Sequence, residues 1–342
     1  MSGMKNATYF EKVKPVWDEL SALLDKARRV GARGLTAEEL ARLDRLYRLS
    51  TVHLAQVRLR TTNQALLERL NRLVARAHSF IYAPPRQNPL QWVGHFYAVG
   101  FPRAVARTWA FHFASFLLFA AGALVAYFGT MRDDVTAYAL LAGDIRVPGS
   151  SAEQLEGVLR SGRDTSAAEK FAFASFLLTH NTRVGLMAFA LGVLAGVPTV
   201  FLMLINGGMM GAFAAVHHRR GVEAEMWGWI LAHGVTEITA ILLCGGAGLM
   251  LGMAVLRPRY ETRVRSLVAA GREALRLVMG VVPMFILAGI IESYVRQSHM
   301  SVTARLLFAA ATAVFWGMYF RMGMYLETRE REEPLPPPSP EL

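Results

Sequence analysis

Long apolar runs separated by short charged segments dominate the chain from residue 108 onward. Five of these runs have roughly the 20 residues that a helix needs to cross a bilayer: 108–131, 199–216, 227–256, 277–295 and 306–326. A sixth span is predicted from a capping box at Ser166 and Glu169 to about Gly196. The pattern therefore predicts an all-α, polytopic membrane helix bundle of about six spans.

The longest uncharged stretch, residues 184–216, does not fit a simple pair of spans. As one helix its 33 residues would be about 50 Å long, against a hydrocarbon core of about 30 Å, whereas two spans need about 20 residues each. Pro198 also interrupts it. Either the preceding span begins near Phe171 and carries polar residues into the bilayer, or one segment is a re-entrant half-span. In both cases, polar groups at membrane depth must be satisfied inside the protein.

The first 82 residues predict a separate helical domain. Apolar residues recur at helical spacing, and Thr36 with Glu39 forms a capping box before the second helix. The third helix interleaves arginines with leucines; these are Arg69, Arg72 and Arg76. They form either a solvated helix face or a surface that docks on anionic headgroups or an acidic partner.

The remaining boundaries follow from composition. Residues 83–107 predict a proline-rich linker and an interfacial amphipathic helix, because Trp92, Phe96 and Tyr97 stand among polar residues. Residues 108–326 form the bundle, and 327–342 are expected to be a disordered, proline-rich tail.

Charge predicts the orientation of the bundle. The chain carries a net charge of +11, and 18 of its 37 Lys and Arg residues precede residue 108. A basic surface also suits nucleic acid, but beside a membrane domain the positive-inside rule is the simpler account, so no nucleic-acid partner is expected. The basic 257–276 loop and both termini are therefore placed in the cytoplasm, and the acidic 132–165 loop outside. The single cysteine, Cys244, excludes an intrachain disulfide.

Glycines recur at four-residue spacing in two spans: Gly207 and Gly211, then Gly248 and Gly252. Small residues at this spacing let helix backbones approach closely, so these positions predict helix packing. A substrate path or an oligomer contact is the alternative, and a homo-oligomer is compatible with the pattern.

Ionisable residues lie inside the apolar runs, where charge is expensive. His233 and Glu237 are four residues apart on one helix face, and Glu292 lies in the next span. We expect an intramembrane polar network of His180, Asn181, Arg183, Asn206, His233, Glu237 and Glu292. The alternative is a proton or ion relay. An H-E-x-x-H motif is absent and no third ligand is evident, so no metal site is predicted.

Motifs of soluble-type catalysis are missing. The sequence contains no G-x-S-x-G, P-loop or dinucleotide fingerprint, so no enzymatic activity, catalytic residue or cofactor is expected.

Four motifs in order carry a family resemblance: His180-Asn-Thr-Arg183, Leu204-Ile-Asn-Gly207, His233-Gly-Val-Thr-Glu237 and Gly289-Ile-Ile-Glu-Ser293. Over about residues 95–326 the chain resembles the stage II sporulation protein M family of bacterial integral membrane proteins. Thr182 departs from the pattern, where a second asparagine is common.

The resemblance implies a non-enzymatic protein of the bacterial cytoplasmic membrane. In spore formers the family member works with peptidoglycan hydrolases; other members are often encoded beside a MoxR-type ATPase. We therefore expect a scaffold or anchor for a cell-envelope complex, whose partners are the lipid bilayer and other envelope membrane proteins. The alternative is a transporter or channel for a small solute, ion or lipid that uses intramembrane carboxylates.

Overall fold

A computed structural model describes residues 2–31, 34–61, 63–82, 88–161, 179, 181–260, 262–296 and 298–332. These residues fold into helices, turns and loops without strands, which confirms the all-α prediction. The chain divides into two compact units, Met1–Asn88 and Pro89–Leu342.

The first unit is a three-helix domain of α1 (Ser2–Val30), α2 (Ala37–Arg60) and α3 (Gln64–Tyr82). Two adjoining clusters of buried residues form its core: Leu20, Leu24, Ala27, Leu35, Leu43, Leu46 and Ala77, then Val13, Trp17, Leu54, Val57 and Leu70. All three helices contribute, so the predicted helical spacing does produce a shared core.

The capping box at the start of α2 forms as predicted. The Thr36 hydroxyl accepts a hydrogen bond from the Glu39 N–H at 3.2 Å, and the Glu39 carboxylate accepts one from the Thr36 N–H at 3.1 Å. The two side chains therefore satisfy backbone donors at the start and end of the box.

Thr36→Ala is expected to weaken α2 by about 1 kcal/mol, because one N-terminal donor loses its acceptor. Hydrogen exchange of the full chain checks this as faster exchange in the first turns of α2. Thr51→Ala is the control, since that hydroxyl only donates to the Tyr47 carbonyl within the same helix. Equal exchange in both variants would contradict the prediction.

The second unit contains ten further α-helices in the described residues. They are α4 (Pro89–His95), α5 (Phe101–Arg107), α6 (Trp109–Arg132), α7 (Asp134–Leu140), α8 (Ala152–Arg160), α9 (181–190), α10 (Val197–Arg219), α11 (Glu223–Leu256), α12 (Arg263–Ile291) and α13 (Val302–Glu332). Short π-helical turns follow α4, at Phe96–Gly100, and α12, at Glu292–Arg296.

Five of the described helices are long and apolar enough to cross a membrane: Trp109–Arg132, Val197–Arg219, Glu223–Leu256, Arg263–Val295 and Val302–Glu330. They match the five apolar runs; four extend beyond the predicted run at one or both ends, and the first is shifted by one residue. The start of the predicted sixth span, with Ser166, Glu169 and Phe171, lies outside the described residues. That span therefore stays a prediction.

The interruption before Pro198 is a tight reversal of the chain. α9 ends in a 3₁₀ turn at Leu191–Val193, and Ala195 and Gly196 adopt left-handed φ values of 56° and 75°. Glycine takes this conformation without steric cost, whereas alanine does not. α10 then begins with Pro198 in its first turn, where a missing N–H costs nothing.

α9 and α11 run in the same direction in close contact. Gly185 faces Cys244, Gly192 faces Gly248, and Gly196 faces Gly252. The reversal therefore lies at the C-terminal end of α11, and α10 returns along the bundle.

The predicted packing glycines all lie at helix contacts. A Cβ added at Gly207 or Gly211 would come under 3.0 Å from the carbonyls of Phe119 and Ala123 in α6. Gly248 and Gly252 meet the backbone of residues 188–196 equally closely. These helices touch backbone to backbone.

The acidic segment predicted at 132–165 as the longest loop between spans is partly helical over its described residues. It contains α7 and α8, and α8 begins with a capping box between Ser151 and Gln154. Leu155 and Leu159, one turn apart, are buried in a cluster with Met226 of α11. Short amphipathic helices thus cap this end of the bundle.

Two other segments are more helical than predicted. α12 begins at Arg263, so only residues 257–262 of the predicted basic loop connect helices. α13 continues to Glu332, six residues into the predicted tail; residues 333–342 lie outside the described part.

Candidate functional site

Two carboxylates and an imidazole meet inside the second unit. His233 and Glu237 lie one turn apart on α11, and Glu292 lies where α12 passes into its π-helical turn. One ligand atom from each of the three lies within 4.8 Å of the others. We call this group the acid–histidine cluster.

The cluster is largely removed from solvent. His233 and Glu292 are 6% and 4% exposed, and Glu237 is half-buried. The His233 Nε2 and Glu292 Oε1 atoms are 3.7 Å apart. This separation suits an ion pair when the imidazole is protonated, and it exceeds a direct hydrogen bond.

Local backbone geometry brings Glu292 to the cluster. The Glu292 N–H reaches the carbonyls of both Ala288 and Gly289, and the chain then widens into the π-helical turn. Such turns are frequent at functional sites because they re-aim side chains without ending the helix.

Aromatic side chains close the site on the adjoining turns of α11. The Trp229 ring meets the His233 imidazole edge to face at 6.2 Å between centroids. Trp316 of α13 donates its indole N–H to the Thr236 hydroxyl at 3.0 Å. α11, α12 and α13 therefore converge here.

The other predicted network members are placed differently. Arg183 is exposed, so the structure does not bring it into the cluster. The Asn206 amide donates to the Leu202 carbonyl of its own helix at 2.7 Å. Asn181 is half-buried in the first turn of α9, and His180 lies outside the described residues.

Glu292 supplies the third possible metal ligand that the sequence did not reveal. Zinc holds nitrogen and oxygen ligands at about 2.0–2.2 Å, which puts two tetrahedral ligands about 3.5 Å apart. The His233–Glu292 separation of 3.7 Å is close to this value, but separations within the group reach up to 4.8 Å. The three residue types fit a metal, and their spacing is wider than a closed zinc site.

The same geometry permits proton exchange. Direct transfer needs heavy atoms about 2.6–3.2 Å apart, and a longer gap is crossed through one water. The 3.7 Å gap between His233 and Glu292 exceeds the direct distance and leaves no room for a bridging water, so direct transfer requires the two side chains to move closer together.

A buried arginine that the hydropathy pattern does not indicate lies two turns farther toward the N-terminus of α11. Arg305, in the first turns of α13, is 0% exposed. Its Nη1 lies 3.8 Å from the Glu225 carboxylate, and its Nη2 donates to the Ser298 carbonyl at 3.1 Å. One sequence signal could have indicated this position. Ser301 is a helix-capping residue whose hydroxyl accepts from the Ala304 N–H, so α13 begins at about residue 302 and Arg305 lies in its first turns.

A second arginine holds the short helices against the bundle. The Arg146 guanidinium lies over the rings of Phe213 and Trp229, at 4.6 and 5.2 Å, and donates twice to the Asp144 carboxylate. Burial raises the pKa of Asp144, but the hydrogen bonds from Arg146 outweigh it and leave the pKa below its ordinary value. Asp144 therefore stays ionised and fixes the arginine above the aromatic pair.

The first unit carries a groove between α1 and α3 with a volume of about 360 Å³. Trp17 and Leu70 line its apolar part. Its charged lining is Lys14, Arg69, Arg72 and Arg76 against Glu11 and Asp18, and Arg69 lies 3.8 Å from Asp18. Arg76 at one end pairs with Asp25 at 2.6 Å. The groove thus combines an apolar surface with excess positive charge, as an acidic amphipathic helix would require.

Two family models match the chain, one in each of its two compact units. A family model described as Stage II sporulation protein M matches residues 115–296, more than half of the chain. A second, described as a domain of unknown function (DUF8413), matches residues 7–83. No curated protein and no solved structure matches the chain. The first match spans the acid–histidine cluster and all four packing glycines.

Proposed function

Because the chain belongs to the stage II sporulation protein M family of integral membrane proteins, we propose that it is a non-enzymatic scaffold of the bacterial cytoplasmic membrane. Its bundle would anchor a cell-envelope complex, and its first unit would recruit a partner from the cytoplasm. One observation carries this proposal. The spans touch backbone to backbone at glycines, which favours a rigid platform over helices that slide.

The groove of the first unit supports the recruiting role. Its apolar floor and basic rim suit an acidic helix of a partner protein. We propose a MoxR-type ATPase as the partner of this groove, whereas a peptidoglycan hydrolase would contact the bundle from the outer side of the membrane. The basic first unit and the basic 257–276 segment would face the cytoplasm under the positive-inside rule.

Co-purification tests the proposal. Full-length protein carrying Arg69→Glu and Arg72→Glu is expected to retain at least about tenfold less partner than wild type. Two charges that attract an acidic helix then repel it. Arg45→Glu with Arg48→Glu is the matched control, since it reverses two exposed charges on α2 outside the groove lining. Failure of wild type to retain either partner from cross-linked membranes would contradict the scaffold.

A second candidate is an ion-coupled transporter, and the acid–histidine cluster favours it. Carboxylates enclosed among spans commonly mark ion pathways, and the α9–α10 reversal interrupts a span as transporter helices do. Under this alternative, Glu237 would exchange a proton during each cycle.

Flux measurements in liposomes separate the two candidates. The scaffold predicts no proton-coupled flux for wild type or for Glu237→Gln, and unchanged partner retention by the variant. Flux in wild type that Glu237→Gln abolishes would replace the scaffold with the transporter.

A further inference from the structure

Two adjoining cavities at the basic end of the bundle differ sharply in character. The first, of about 340 Å³, lies among the start of α6, the end of α11 and the start of α12, and is lined by Arg107, Arg257 and Arg259. The second, of about 640 Å³, is an apolar groove between α6, the α9–α10 reversal and α11. Phe111 and Met253 line both, so the two cavities adjoin across these two side chains.

The first cavity is lined by more arginines than carboxylates. Glu273 is the carboxylate in its lining, and the Arg107 guanidinium donates two hydrogen bonds to it, at 2.8 and 3.0 Å. Arg107 also reaches Glu327 at 3.3 Å. Among the described residues, Arg257 and Arg259 form no ion pair with a carboxylate, and both are exposed toward the cavity mouth.

The backbone at this mouth is held in place independently of any ligand. The Arg259 N–H donates to the buried Ser266 hydroxyl at 3.2 Å, which ties the 257–262 connection to the first turns of α12. Thr262 caps α12 by accepting from the Arg265 N–H. The two arginines therefore project from a fixed segment.

The second cavity belongs to the lipid-facing side of the bundle. Its lining is almost wholly apolar, and Leu117, Val197 and Leu256 around it are about half exposed or more. In a bilayer such side chains contact acyl chains, because water does not enter that region.

We infer that the two cavities form one site for an anionic glycerophospholipid. The phosphate would lie between Arg257 and Arg259, where guanidinium groups match phosphate geometry. An acyl chain would pass Phe111 and Met253 into the apolar groove. A basic pocket between spans at one membrane face is the arrangement that holds such headgroups. This inference stands whether the protein is a scaffold or a transporter.

Native mass spectrometry of the full chain in detergent tests the site, with phosphatidylglycerol and phosphatidylcholine of the same acyl chains as probes. Wild type is expected to bind phosphatidylglycerol in preference. Arg257→Gln with Arg259→Gln should weaken that binding about tenfold to thirtyfold. Arg263→Gln with Arg272→Gln is the matched control, because it removes the same charge from the same end of the bundle outside the cavity lining.

A groove variant keeps the inference testable if the arginine variant does not fold. Val200→Phe fills the apolar groove and should lower phosphatidylglycerol binding while Arg257 and Arg259 remain. Inorganic phosphate, added as a competitor, distinguishes a lipid from a soluble anion. The inference is overturned if wild type shows no lipid preference, if control and arginine variants weaken equally, if Val200→Phe binds like wild type, or if phosphate alone displaces the lipid.

Discussion

Replacing Gly207 and Gly211 together with alanine is expected to destabilise the bundle strongly. Each added methyl would lie under 3.0 Å from a carbonyl of α6, where backbone and not a flexible side chain opposes it. α6 and α10 would have to separate along their length and lose dispersion contacts on both sides. We expect a loss of more than about 3 kcal/mol, with loss of the monodisperse protein on extraction.

Thermal melts in detergent, followed by size-exclusion chromatography, measure this effect. Gly317→Ala is the control, because nothing lies within 4 Å of a Cβ at that position of α13. Alanine is the better helix former by about 1 kcal/mol, so the control should melt at the wild-type temperature or above. A double variant that melts with the control would show that α6 and α10 do not meet at these glycines.

Removing Arg305 is expected to cost about 3–5 kcal/mol, since a buried charge is withdrawn from its partners. Arg305→Leu would leave the Glu225 carboxylate, 12% exposed, without one guanidinium and the Ser298 carbonyl without a donor. Arg305→Lys should recover little, because a single ammonium does not span both acceptors.

A double-variant cycle identifies the cause. Adding Glu225→Gln to Arg305→Leu should recover part of the loss, since no carboxylate then remains to be neutralised. Arg321→Leu removes an exposed arginine from the same helix and should have a small effect. If Arg305→Leu melts with Arg321→Leu, the buried pair contributes no stability.

The amino-acid pattern predicts the helices well and their ends poorly. The five apolar runs coincide with the observed spans to within one residue or lie inside them, because hydrocarbon length fixes the minimum apolar stretch. It does not fix where a helix stops, and α12 begins at Arg263, 14 residues before the predicted span at Leu277. The same limit hides Arg305, which a hydropathy pattern assigns to a turn.

The candidate site was only partly predictable, for a different reason. His233 and Glu237 share a helix face, so periodicity alone places them together. Glu292 reaches them through the π-helical turn, and the orientation of α9 leaves Arg183 exposed and outside the cluster. Neither feature produces a periodic pattern in the sequence. The burial of Leu155 and Leu159 depends on a tertiary contact with α11 that composition does not encode.

The length of α11 bears on how protons reach the acid–histidine cluster. Its 34 residues span about 51 Å, well beyond a hydrocarbon core of about 30 Å, and its first turns pack under α8. His233 lies only about 15 Å from the start of the helix, whereas Glu237 lies about 29 Å from its end at Leu256. The cluster therefore lies nearer to the end of the bundle that α8 covers than to the basic end, and we expect its protonation to follow the acidity of the compartment on that side.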